Sequence, residues 1–382
     1  MVERCDCVVI GAGIAGMSLA ARLAEETAGR MKVVVLEAES APGYHASGRS
    51  VAIAHYGLGD TLVRALTQAS LAEFRGMVGP SGAPITHTIP ALHIARADQG
   101  EAFADLVAVH KRFEADFELL QGEDIRKVAP ALKVGPEAAH QAILDRGALK
   151  LDTDAMLARH LTQLRANGGE LVSGARVTAI RTVGELYEVE TTAGTYQSPR
   201  LVNAAGAWAD EVARMAGVPP IGLEPRRRTV ISFDAPDGED VAHWPFIKTV
   251  GEGFYTLPEG RSRLLASSMD QTPSTPCDAA PEELDIAIAA DRILNATTLE
   301  IRRVAHSWAG LRSFAPDERP VIGEAAGAPD FFWFAGQGGY GFQTAPALAR
   351  IGASVVLGEE WPSDMAAAGV TPADLSPGRF GA

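Results

Sequence analysis

Cysteine is scarce in this 382-residue chain, which carries only Cys5, Cys7 and Cys277. They form no metal-ligand spacing, so no metal site is expected. Cys5 and Cys7 lie two apart on one expected strand and are badly placed to bridge each other. This usage fits a reducing compartment. No run of about 18 apolar residues occurs, which excludes a membrane-spanning helix. Positive charge is short as well: 34 Lys and Arg face 48 Asp and Glu, for a net charge of −14. A nucleic-acid binder needs a basic face to displace phosphate counterions, so that class is excluded. A firm grip on anionic lipid is disfavoured too. The opening "MVERCDCVVIGAG" shows no basic segment followed by an apolar stretch, so no secretory signal is expected. The expected location is cytoplasmic, with peripheral attachment to the inner face of the membrane left open.

Glycine, by contrast, is placed with purpose. Gly11, Gly13 and Gly16 in "CVVIGAGIAG" follow an apolar run and open an Ala- and Leu-rich segment at 14–28. The first glycine of such a motif permits a tight turn, the second lets backbone approach a pyrophosphate, and the third lets helix and strand pack closely. A helix start there presents free N–H groups and a positive dipole end to phosphates. "KVVVLEAE" at 32–39 reads as the next strand. Its Glu37, twenty-one residues after Gly16, stands where an acid accepts hydrogen bonds from a ribose 2′-hydroxyl. An acid in that place disfavours NADP but does not separate NAD from FAD. The polar loop after it contains Ser47, Gly48, Arg49 and Ser50 and extends the same site.

A second motif, Gly336, Gly338 and Gly341 in "FFWFAGQGGYGFQTAP", lies near the other end of the chain. One helix follows it, with Pro346 expected in the first turn, and then too little chain for another βαβ unit. A second dinucleotide domain is ruled out. Two readings remain on the residues alone: close strand–helix packing, or a helix N-terminus aimed at the anionic N1–C2=O end of a reduced flavin.

Between the motifs the texture alternates. Residues 61–76, 99–115, 122–129 and 152–169 read as helices. "ITHTIPALHIARA" at 85–97 reads as an antiparallel or edge strand because of its internal Pro. Residues 228–270 read as antiparallel, with a hairpin turning at Pro258-Glu259-Gly260. The expected fold is a Rossmann-like α/β domain built from 1–80, 143–217 and 306–382. Interleaved with it is an antiparallel-sheet domain from 81–142 and 218–305.

The segments "VVIGAGIAG", "VLEAESAPGYHASGRS", "LVNAAGAWAD", "WAGLRSFAPDERPVIG" and "FFWFAGQGGYGFQTAP" occur in this order. Together they resemble the D-amino acid oxidase, glycine oxidase and sarcosine oxidase group of FAD-dependent amine oxidoreductases. Within it they are most similar to bacterial D-amino acid dehydrogenases of the D-arginine type. The resemblance spans essentially the whole chain and implies one noncovalent FAD buried between the two domains, touched by both glycine motifs. It places Gly11, Gly13, Gly16 and Glu37 at the ADP half, and Ser47, Gly48, Arg49 and Ser50 near the phosphates and ribityl chain. It puts Val177 at the adenine, Ala205 and Gly206 beside the pyrophosphate, and Gly338, Gly339, Tyr340 and Gly341 at the flavin. For the substrate it implies Arg312, Arg228 and Tyr255 on a carboxylate, with the Gly339 carbonyl and Gln343 accepting from an amine.

The implied reaction is oxidative deamination of a D-amino acid to a 2-oxo acid and ammonia, by hydride transfer to flavin N5. Oxygen or a quinone takes the electrons. Oxidation of glycine, sarcosine, another secondary amine or a 2-hydroxy acid is the alternative, as is a non-catalytic flavin-binding subunit. Two departures matter. Ala91 stands where the arginine-type enzyme has an acid, and losing a buried charge partner costs about 2–5 kcal/mol, so uncharged or apolar side chains are expected. The loop "VAIAHYGLGD" at 51–60 also departs, leaving His55 or Tyr56 as a lid residue facing substrate; His45 and His93 are weaker candidates.

Overall fold

The computed structural model describes residues 2–381. Its centre is a six-stranded sheet in the order Glu170–Val172, Val33–Leu36, Cys7–Ile10, Arg200–Asn203, Ala328–Ala335, Val321–Ala325. All neighbours are parallel except the last pair. The strands are apolar because both faces are covered. Cys7, Val9, Val33, Val35, Phe332 and Phe334 face a helical layer that includes Ile14–Glu26, Thr61–Phe74, Thr153–Ala166 and Gly341–Leu357. Val8, Ile10, Val34, Leu36, Phe331 and Trp333 face a four-stranded sheet through Ile180, Tyr187, Val189 and Tyr196. That second sheet is formed by Val2–Arg4, Thr195–Ser198, Leu186–Thr191 and Val177–Val183.

A nine-stranded sheet forms the other layer. It runs Thr272–Pro273, Glu224–Asp234, Arg263–Ser267, Tyr255–Glu259, Phe246–Thr249, Ala91–Ala95, Gln141–Asp145, Phe117–Gln121, with Val304–Phe314 also paired to Glu224–Asp234. Residues 306–314 and 143–145, assigned to the first layer on the sequence, thus lie in this sheet. Ala91–Ala95 is no edge strand: it lies between Phe246–Thr249, parallel, and Gln141–Asp145, antiparallel. Pro90 precedes the strand and only offers its carbonyl, to the Phe246 N–H, so it removes no ladder donor. The hairpin turns at Gly260, Arg261 and Ser262, while Pro258 and Glu259 are still paired in the strand.

Pro346 lies inside the helix Gly341–Leu357, past its first turn. A proline there strains the local ladder. The buried hydroxyl of Ser70, on the neighbouring helix, accepts the Ala347 N–H at 3.2 Å and supplies a partner at that point. No helix among the described residues is long and apolar enough to cross a membrane.

Candidate active site

One cavity of about 1000 Å³ runs between the two layers. At one end, Gly11 turns at φ +103°, and a Cβ there would stand 2.5 Å from the Ala204 carbonyl oxygen. A Cβ on Gly16 would meet the Gly11 oxygen at 1.9 Å, so this glycine seats helix on strand and does not itself line the cavity. The helix Ile14–Glu26 starts without a side-chain cap at Gly13; Ser47 Oγ accepts the Ile14 N–H at 2.9 Å. Glu37 is buried, accepting from Ala12 N–H at 2.8 Å and Glu39 N–H at 2.9 Å. The wall continues through Val177, Ala205, Gly206, Ser50 and Arg49. Arg49 is held by the Ala279 and Ala309 carbonyls at 2.8 and 3.0 Å and by Asp278. Gly48 is set back from the cavity wall, closing its loop with an N–H to the Gly43 oxygen at 2.6 Å.

The far end is built by the second glycine motif. Gly338 (φ +50°) lies so close to Phe314 that a Cβ would be 2.4 Å from its ring. A Cβ on Gly339 would stand 2.8 Å from Arg312 Nη1, so only glycine lets the guanidinium lie against this backbone. Tyr340 ties the turn down through its hydroxyl to the Glu318 carbonyl. Burial raises the pKa of that phenol, keeping it a donor. Gly341 then starts a seventeen-residue helix with no side-chain cap. Its free N–H groups and positive dipole end lie at the cavity wall.

Cross-strand register in the nine-stranded sheet assembles the opposite wall. Arg228 pairs with Gly310, where a Cβ would stand 3.4 Å from Arg49 Cβ, and Arg226 pairs with Arg312. Arg226 and Arg227 are spent on Glu224, Glu318, Glu282 and Asp285, so one arginine of the three turns to the cavity. Arg228 is buried, donating from Nε to the Asp270 carbonyl at 2.7 Å, with Asp270 Oδ1 at 3.9 Å. Burial first, and Arg312 second, bring its pKa down to about 9, which leaves it cationic at neutral pH. Arg312 is likewise lowered, chiefly by burial. It lines the cavity, and its side chain makes no hydrogen bond or ion pair among the described residues. Tyr255 is 4% exposed, and its hydroxyl has no hydrogen-bond partner among the described residues.

Gln343 is fixed by Nε2 to Thr67 Oγ1 at 2.9 Å, and its Oε1 faces the His55 N–H at 3.5 Å. His55 lines the cavity as a buried wall residue, with Nδ1 accepting from Gly57 N–H at 3.0 Å. Burial, then Lys248, hold it neutral, well below the ordinary histidine range. Tyr56 turns away and stacks on Phe113, 5.3 Å between centroids. His45 lines the nucleotide end beside Trp208. His93 lies behind His55 at 5.2 Å, and with His110 and Asp145 brings ligand-type atoms within 4.8 Å of one another. Ala91 is buried beside Ile89 and Phe246 and does not line the cavity.

Lys248 was not anticipated. It lines the cavity beside Phe246, is 9% exposed, and pairs in register with Tyr255 on one side and His93 on the other. Its Nζ donates to the Thr249 carbonyl at 3.1 Å. Burial first, then Arg228, Arg312 and Arg64, lower its pKa to about 8. A lysine inside the apolar run "WPFIKTV" was the available signal; which face of the sheet it takes is set by register alone.

The residues present fit FAD. A glycine-lined helix start and a buried acid sit at one end of the cavity. The uncapped start of a 17-residue helix sits at the other. Such a site fits a dinucleotide-dependent oxidoreductase. The family model for FAD dependent oxidoreductases matches residues 6–355, and the chain belongs to that family, with FAD as its cofactor. It is 25% identical to glycine oxidase of Geobacillus kaustophilus over 96% of each chain. It is 22% identical to hydrogen cyanide synthase subunit HcnC of Pseudomonas aeruginosa over 94% of each. The crystal structure of L-proline dehydrogenase from P. horikoshii superposes with a TM-score of 0.83 at 19% identity, covering 100% of this chain and 99% of that one. The protein is thus an FAD-dependent oxidoreductase.

Proposed function

We propose that the protein oxidises the Cα–N bond of an amino acid, of D configuration in the reading drawn from the sequence, to yield a 2-oxo acid and ammonia. One observation carries this. The buried Tyr255 hydroxyl, without a hydrogen-bond partner among the described residues, and the half-buried Arg312 guanidinium both line the flavin end of the cavity. Leaving a buried donor unpaired costs about 1–3 kcal/mol, so the pair is a receptor awaiting an acceptor. A planar guanidinium with a hydroxyl beside it fits a carboxylate.

Held by Gly11, Gly13 and Glu37 at one end and by Gly338, Gly339 and Gly341 at the other, FAD would supply the two-electron acceptor for hydride from the substrate Cα. The chain orients that Cα through the carboxylate clamp. The Gly339 carbonyl and Gln343 Oε1 aim the amine by accepting its hydrogens. The amine must be neutral for hydride to leave. The cationic field of Arg228, Arg312 and Lys248 favours loss of its proton, because like charges lower the pKa of an ammonium. Water then hydrolyses the imine, and oxygen or a quinone removes the electrons. A cationic substrate side chain is disfavoured by the same field. Because Ala91 lies off the cavity, the choice between uncharged and anionic side chains rests on other residues.

The test is anaerobic bleaching of the bound flavin by D- and L-amino acids, glycine, sarcosine, proline and 2-hydroxy acids. Amino acids are expected to bleach it, and Arg312→Met to lower reduction at least tenfold at limiting substrate. Bleaching by hydroxy acids or secondary amines alone overturns the amino-acid assignment. Survival of activity within tenfold in Arg312→Met removes the clamp. A flavin that no small substrate bleaches marks a non-catalytic flavin subunit.

A further inference from the structure

The wall facing the flavin end carries more positive charge than one carboxylate satisfies. Arg228, Arg312 and Lys248 all line it, and Asp270 is the carboxylate acting on the two arginines. Asp270 is already committed, accepting the Thr229 N–H at 3.0 Å and the Ser268 hydroxyl at 3.2 Å. The charged neighbours of Lys248 are all cations, and among the described residues it forms no ion pair. Burying an ammonium this way is costly unless a ligand supplies the counter-charge. One carboxylate from an amino acid still leaves the cluster a cation in excess.

Geometry sets where the second counter-charge falls. Lys248 and Tyr255 are direct cross-strand partners, so their side chains leave the same face of the sheet. Neighbouring strands are about 4.8 Å apart. A carboxylate held by Tyr255 and Arg312 therefore has Lys248 one strand further along the wall, within reach of a side chain of one or two methylenes. One Nζ hydrogen is taken by the Thr249 carbonyl, leaving two donors.

We propose that Lys248 is the specificity residue of this site and selects amino acids whose side chain ends in a second carboxylate, of aspartate or glutamate type. This rests on the amino-acid reading above and narrows it to one substrate class.

The test compares acids with their near-isosteric amides. FAD-loaded enzyme is mixed without oxygen with D- and L-glutamate, glutamine, aspartate and asparagine, and the rate of flavin reduction at limiting substrate is measured. The acid is expected to exceed its amide by about thirtyfold or more, the lower end for a buried charge pair. In Lys248→Met that ratio should fall to near one, and Lys248→Arg should restore part of it. An amide or apolar amino acid that matches the acid in the wild type overturns the proposal, and needs no variant to fold. So does a Lys248→Met enzyme that loses acid and amide activity equally, as a proton acceptor or a packing residue would. Reduction by neutral amino acids only sinks this inference and leaves the amino-acid reading standing; reduction by none sinks both.

Discussion

Tyr255→Phe separates a receptor from a packing residue because its effects on stability and on binding have opposite signs. The ring is buried, 5.8 Å from Phe246 between centroids, and phenylalanine keeps that contact. The hydroxyl has no partner among the described residues, so removing it relieves an unpaired buried donor, worth about 1–3 kcal/mol, and leaves no acceptor stranded. The substrate-free holoenzyme should melt at the same temperature as wild type or above it. With substrate present the hydroxyl donates to an ionised carboxylate, a bond worth about 1.5–3 kcal/mol, or roughly 10- to 150-fold in affinity. Thermal unfolding of the FAD-loaded protein and anaerobic stopped-flow reduction measure the two sides. The expected result is unchanged or raised Tm with substrate Kd raised by at least tenfold. A variant that melts lower and binds substrate as before refutes the reasoning, because the hydroxyl would then be a structural bond.

Glu37→Ala strands the Ala12 and Glu39 N–H groups, now bonded at 2.8 and 2.9 Å, and removes the proposed ribose acceptor. Hydrogen bonds to charged groups are worth about 1.5–3 kcal/mol, so the Kd for FAD should rise at least tenfold in a flavin-release fluorescence titration. Lys248 makes stability depend on pH. Its pKa falls from 10.5 unfolded to about 8 folded under burial and the Arg228, Arg312 and Arg64 charges. Below pH 8 both states are protonated and the folded chain carries the full penalty. Between 8 and 10.5 the unfolded chain binds more protons, so stability rises with pH, by up to about 3 kcal/mol. Substrate-free wild type should therefore gain stability over Lys248→Met across that window in denaturant titrations; a flat difference removes the buried charge.

Local pattern determined much of this protein. A strand, a glycine turn and a helix start are contiguous, so Gly11, Gly13, Gly16 and Glu37 were legible, as were the apolar strands beside them. Arg228 could be singled out only through the family resemblance, since its neighbours Arg226 and Arg227 are alike in sequence. Alternation along the strand and the carboxylates supplied by distant segments decide which arginine enters the cavity. The hairpin shifted by two residues, and Ala91–Ala95 moved from edge to interior. Pairing partners fix register, and they lie far off in sequence, as Phe246 does from Ala91. The cavity-facing position of Lys248 and the unpaired state of the Tyr255 hydroxyl belong to the tertiary level. A side chain becomes a receptor when burial strips its water and no neighbour replaces it, and three-dimensional packing alone decides that.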